Sequence, residues 1–302
     1  MMNKRPNSSI YNQFIGGFKF YVLRLQNQPT YNLFTILAFI VILFSLPSCI
    51  FAETFVSGEI TQNTTWIKAN SPYLVTGDIT IRHSAMNSNG SALTTLTINP
   101  GVEVRFEPQT GLYVGKDIPN NSWGYWGALS AVGTEAEPII FTSNAASPTP
   151  GDWKGIYFRT WTVDAASRLE HCVIEYGGLT NSSNIYLSSA NPPILRNTIQ
   201  YSSGHGIYLN TLKPRSASCR HSLSSGHGIY LNNASPIISS NNIVGNGTHG
   251  MSCDSGSNAL ISNNIISNNG SAAIDIYPNG VRRISGNTGI GNGLNYIRIY
   301  EG

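Results

Sequence analysis

Apolar residues in the second half of the chain recur at alternate positions, in short bursts, without helical spacing. Ile185 and Leu187, Ile207 and Leu209, Ile229 and Leu231, Met251 and Cys253, and Ile274 and Ile276 are pairs split by one residue, and the pairs succeed one another every 22 or 23 positions. Alternation puts both members of a pair on one face of a strand, so the pairs are expected to point inward and stack into an aliphatic column. Between them stand Tyr186, Tyr208, Tyr230, Ser252 and Asp275, which the same alternation sends outward. A second inward column is expected through Ile174, Ile199, Ile243 and Ile265, preceded two residues earlier by Cys172, Asn197, Cys219, Asn241 and Asn263. Stacked asparagines can hydrogen-bond along the stacking axis.

The repeat is literal at one place, where residues 202–210 and 224–232 both read SSGHGIYLN. A period of this size signals a solenoid. Each unit is too short for a pair of helices and consists of β-prone runs punctuated by Asn, Gly and Ser, so the chain is expected to be all-β and to wind as a parallel β-helix. The coil between 211 and 223 breaks the pattern: Arg215 and His221 stand where isoleucines are expected, which places polar groups in the core unless that coil bulges outward.

Four segments follow. Residues 1–52 carry a basic leader and an apolar run over 33–46, followed by Pro47 and small residues, which is the pattern of an export signal. Cleavage after Ala52, lipidation at Cys49 and an uncleaved anchor are the three readings of its end, and each puts the body outside the cytoplasm, extracellular, surface-attached or periplasmic. Residues 53–94 are expected to form an N-terminal cap and the first strands, residues 95–183 longer irregular coils, and residues 184–302 the regular repeats. The formal charge of +3 shrinks once Lys4, Arg5, Lys19 and Arg24 are set aside with the leader. The body is then near neutrality and lacks a basic patch for nucleic acid. Cys172, Cys219 and Cys253 are too few and too widely spaced for a disulfide framework, and no metal-ligand spacing such as CxxC or HExxH occurs, so no cofactor is expected.

These coils resemble the right-handed parallel β-helix repeats of bacterial secreted and surface proteins that share the pectate-lyase-like fold. The stretches 96–104 (LTINPGVEV), 151–158 (GDWKGIYF) and 169–178 (LEHCVIEYGG) are similar to segments of largely uncharacterised members of that group. The resemblance covers residues 55–299 and implies fold far more than function, because such helices serve as pectin and alginate enzymes, as adhesins and in other roles.

Candidate chemistry is sparse. The motif Gly-His-Gly at 204–206 and 226–228 resembles the element bearing the catalytic-site histidine of polygalacturonases, but the Asn-Thr-Asp and Asp-Asp elements of that family are missing. Glycoside hydrolysis needs two carboxylates facing one bond, whereas the acids from 184 onward are Asp254, Asp275 and Glu301. The repeated motif therefore reads as a duplicated turn. Asp152, Glu170 and Glu175 are the densest acids and the candidates for catalysis of the lyase or hydrolase type. Calcium-dependent lyases of this fold need a cluster of acidic oxygens that the sequence does not display. His205, His227 and His249 would stack roughly 4.8 Å apart, close enough for two imidazoles to share a metal, with a plain stacked ladder as the simpler reading. Tyr157, Tyr186, Tyr208 and Tyr230 would form an exposed aromatic strip suited to stacking on sugar faces. A polysaccharide or cell-surface glycan is therefore the expected partner of a non-catalytic β-helix, with a carbohydrate-active enzyme as the alternative; a membrane enters only through the N-terminal segment.

Overall fold

The computed structural model describes residues 11–15, 18–22, 53–118, 123–180, 182–210, 216–278, 283–294 and 297–299. The chain divides into two compact units, 1–50 and 51–302. In the first, Tyr11–Ile15 and Phe18–Val22 pair antiparallel; the apolar run of the leader, Cys49 and Ala52 lie outside the described residues. No helix among the described residues is long and apolar enough to cross a membrane.

The second unit winds through three parallel sheets, each coil adding a stretch to each, and Tyr73–Ile81, Ile194–Gln200 and Ser216–Ser222 each run on from one sheet into the next. On the first sheet Ile79, Leu112, Ile156, Ile185, Ile207, Ile229, Met251 and Ile274 fall in register. The second aligns Ile98, Ala131, Leu169 and Ile194, then Ile238 and Ile261 two coils on. The third aligns Val104, Phe141, Ile174, Ile199, His221, Ile243 and Ile266. All of these side chains are buried and, His221 apart, they make one continuous apolar core, as the alternating pairs predict. Their burial is the main force holding the coils together. The three cysteines lie buried and unbridged, and burial pushes the thiols of Cys172 and Cys253 well up.

Two corners of each coil are sharp enough to need the left-handed backbone region. Between the second and third sheets it is held by His171, Arg196, Ser240, Asn263 and Gly286, and between the third and first by Tyr176, Tyr201, Leu223, Gly245, Asn268 and Gly291. Asparagine and glycine adopt this region at least cost, which is why the later, more regular corners use them. Inside the corners run ladders of buried amides. The Oδ1 of Asn264 accepts the backbone N–H of Asn241 at 2.9 Å, and Asn287 does the same for Asn264 at 3.0 Å. A second ladder passes through Asn246, Asn269 and Asn292.

Two expectations change and one open alternative is decided. The coil around 263 is one residue longer than its predecessor, so Ile266 and Asn264 occupy the columns assigned to Ile265 and Asn263; Ile265 is 54% exposed. His221 does stand in the core column, 0% exposed, while Arg215 lies outside the described residues. Ser252 and Asp275 keep the outward register of the tyrosines yet are buried. In the segment 53–94, where a cap and the first strands are expected, Thr54–Ile60 pairs in parallel with Tyr73–Ile81, and Thr64–Trp66 with Thr94–Ile98.

Candidate functional site

The outward column of the first sheet carries the most organised set of side chains. Tyr113, Tyr157, Tyr186, Tyr208 and Tyr230 occupy successive coils in register, with ring centroids 4.8, 5.8, 5.1 and 4.9 Å apart. The spacing follows from the separation of neighbouring strands. Asn210 and Asn232 each donate an amide hydrogen to a phenol on the coil before, Tyr186 and Tyr208 respectively, at 2.9 Å.

Tyr113 was not evident from sequence. Leu112-Tyr113-Val114 has the same alternation as the later strands, but long irregular loops separate it from Tyr157 and hide the period. Tyr157, by contrast, was expected to be exposed and is buried at 4%. Its hydroxyl lies 2.5 Å from the Thr180 carbonyl and 3.0 Å from that of Lys154, and burial pushes its phenol upward. It stands within the row as a covered member between Tyr113 and Tyr186, whereas Tyr113, Tyr186, Tyr208 and Tyr230 are half-buried. Arg159 caps the far end, its guanidinium 4.2 Å from the Tyr113 ring centre.

Beside the phenols runs the histidine ladder. His205, His227 and His249 stack with centroids 4.9 and 5.1 Å apart, and His205 also packs against Tyr208 and Tyr230. Each Nδ1 faces a backbone N–H from the next coil: that of His227 at His205 at 3.2 Å, that of His249 at His227 at 3.3 Å, where the Thr248 hydroxyl also lies 2.7 Å away, and that of Ala272 at His249 at 3.1 Å. A neutral imidazole accepting at Nδ1 carries its proton on Nε2, so the ladder offers donors where a shared metal would need lone pairs. No group of metal-ligating residues with metal-holding geometry occurs among the described residues. Burial pushes His205 down to about 4; it does the same to His227, with the two neighbouring imidazoles adding to the effect, down to about 3. The flanking glycines have a packing reason. A Cβ on Gly206 would sit 2.6 Å from the Gly228 carbonyl, and one on Gly228 2.8 Å from that of Gly250.

The three acidic candidates form no single cluster: Glu170 stands apart, while Asp152 and Glu175 accept from adjacent residues of one strand, Ser143 and Thr142. Glu170 lies on the second sheet, clamped by Arg168 at 2.6 Å and Arg196 at 2.5 Å; burial raises its carboxyl, but the two guanidinium groups outweigh that and hold it below the usual range. Glu175 lies on the third sheet, accepting from Thr142 at 3.0 Å and Gln200 at 2.7 Å. Asp152 ties its own turn, accepting from Ser143 Oγ and from the amide and hydroxyl of Thr149 at 2.7 to 2.9 Å. Those bonds overcome its partial burial and lower it.

At the end of the tyrosine row lies a surface depression of about 410 Å³, lined by Tyr230, Ser252, Asp254, Ser255 and Tyr277 with the edges of His205 and His227. Sequence reasoning did not find it, because Asp254 and Tyr277 join it only once the coil register is known.

Coils, core and turn ladders together define the class: the chain is a right-handed parallel β-helix protein. A family model described as a right handed beta helix region matches residues 154–302, and one described as a pectate-lyase like beta helix domain matches residues 58–186. Among solved structures, the chain is similar to a double mutant of the periplasmic alginate epimerase AlgG, at 13% identity and a TM-score of 0.42, covering 82% of this chain and 72% of that one. A single mutant of the same epimerase gives 12% identity and a TM-score of 0.38, with 82% and 73% covered. No curated protein matches the chain.

Proposed function

We propose that this protein is an exported, non-catalytic β-helix that binds polysaccharide or cell-surface glycan along the tyrosine row of its first sheet. The observation that carries the reading is the row itself: five tyrosines in register over five consecutive coils, four of them half-buried and two with hydroxyls fixed by asparagine. A linear glycan laid across such a row meets flat apolar faces for its C–H bonds and phenol hydroxyls at the edges. Tyrosines at a fixed spacing also lose little side-chain freedom on binding.

The test is glycan retention by residues 53–302, measured by polysaccharide pull-down and titration calorimetry with product release assayed in the same samples. Replacing both Tyr186 and Tyr208 by Ser is expected to weaken retention roughly tenfold or more, at about 0.5–1.5 kcal/mol per aromatic contact. Tyr208→Phe, which keeps the ring, is expected to stay near the parent. Retention unchanged in the double variant would sink the row as a binding surface, and unsaturated or reducing-end products would replace the non-catalytic reading with the enzymatic one.

A further inference from the structure

The tyrosine column stops at Tyr230; the next coils place Ser252 and then Asp275 in the same register. Removing a phenol from a close-packed row leaves a gap, and the 410 Å³ depression lies there. That volume is within the range of small-ligand sites, roughly 300–1,000 Å³. Tyr230 bounds it on the side of the row, and Tyr277, 43% exposed, belongs to a later coil.

Its polar groups are of two kinds. His205 and His227 accept at Nδ1 and so carry Nε2–H donors; burial keeps both rings neutral at ordinary pH. The Nε2 of the third histidine, His249, faces the buried Asp275 carboxylate at 3.6 Å, beyond hydrogen-bond length. One coil back, at His227, the position equivalent to Asp275 is Ser252, whose short side chain leaves room for a ligand oxygen. Asp254 supplies an acceptor. Its Oδ1 is fixed by the Asn233 amide at 2.9 Å and the Ser257 hydroxyl at 2.7 Å, which leaves Oδ2 for a ligand hydroxyl. No lysine or arginine is among the described lining residues.

We propose that this depression is a subsite for one uncharged sugar unit, held between Tyr230 and Tyr277 with ring hydroxyls accepting from the histidine edges and donating to Asp254. The inference rests on the glycan-binding reading and deepens it: the subsite selects neutral sugars over uronates, because Asp254 repels a sugar carboxylate and no cation in its lining offsets that repulsion.

The experiment is titration calorimetry of residues 53–302 with neutral oligosaccharides from mannan, galactan and β-glucan, and with polygalacturonate fragments. Two variants probe the subsite. Ser252→Tyr continues the column into the gap, and Asp254→Asn keeps the shape and Oδ1 bonds while removing the charge. Each is expected to weaken the best neutral ligand by roughly ten- to a hundredfold, the worth of one hydrogen bond to a charged group, and Asp254→Asn to narrow the preference over polygalacturonate. Circular dichroism checks folding. If both variants bind like the parent while Tyr186→Ser with Tyr208→Ser loses binding, the subsite is overturned and the row stands. Binding lost in the subsite variants but kept in the row variant supports the subsite and removes the row. Parent protein that prefers polygalacturonate overturns the assignment to neutral sugars, and parent protein that binds none of the probes overturns both.

Discussion

His221 sits in the inward column of the third sheet, between Ile199 on one coil and Ile243 on the next, with no exposed surface and neither ring nitrogen in a well-formed hydrogen bond. Burial pushes its imidazole down to about 3, against a weaker opposing pull from the Asn241 side chain. A buried polar group left unmatched costs about 1–3 kcal/mol, and isoleucine is the residue its neighbours use. His221→Ile is therefore expected to raise stability by about that much in urea unfolding; a loss would mean that Asn241 satisfies the ring better than its geometry suggests. Individual residues were legible in the sequence wherever alternation alone decided orientation. The isoleucine pairs, the outward tyrosines, the stacked histidines and the misfit at 221 all follow from a period of two within a period of 22. Tyr113 escaped because its coil is long, and the burial of Tyr157 because cover is supplied by Thr180 and the flanking rings, which local alternation does not report.

At the scale of one coil, the corner between the second and third sheets pairs two asparagines with opposite duties. Asn264 is buried and its side chain makes four hydrogen bonds to three residues: it accepts from the amide and side chain of Asn241 and donates to the Ile238 carbonyl and Asn287. Its neighbour Asn263 is exposed and turns the chain at a φ of 56°. Asn264→Leu would leave a buried amide and a carbonyl unmatched and is expected to cost about 2–4 kcal/mol, whereas Asn263→Gly, suited to the left-handed region, is expected to fall within about 0.5 kcal/mol of the parent. Urea midpoints of the two variants decide it: equal effects would show that the ladder carries no special weight. This pair also marks where sequence reasoning slipped. In an Asn-Asn-Ile-Ile string at 263–266 two registers satisfy alternation equally, and the choice between them is made by the extra residue the coil absorbs at its corner, a property of packing against the coil before. The fold class was legible because every coil repeats the same test; the exact register of a lengthened coil was not.

Over the whole helix, buried imidazoles set a pH response distinct from that of the carboxylates. His205, His227 and His221 are neutral when folded, with values pushed from near 6.5 down to about 4, about 3 and about 3 respectively, all chiefly by burial. A histidine depressed in the folded state is matched by an unfolded chain that binds protons first, so stability is complete above about pH 6.5 and declines as pH falls from there toward the folded values. The decline is at most about 1.4 kcal/mol per pH unit for each such group. Glu59, held at about 2 by hydrogen bonds from Arg82 and Lys116, and Asp152 and Glu170, also lowered, contribute in the same direction but only below the ordinary carboxylate range near 4.5. Asp117, raised by burial, contributes with the opposite sign as it takes up its proton, so the histidine share between pH 6.5 and 5 is read from the difference between parent and His221→Ile. Urea midpoints of residues 53–302 are expected to hold steady from pH 8 to 7 and to fall between pH 6.5 and 5. In His221→Ile the fall should be shallower by the share of one group, while the steeper loss below pH 4.5 is retained. A midpoint unchanged from pH 8 to pH 5 would show that the stacked coils admit water to their imidazoles, and would remove with it the fixed neutral donors on which the sugar subsite depends.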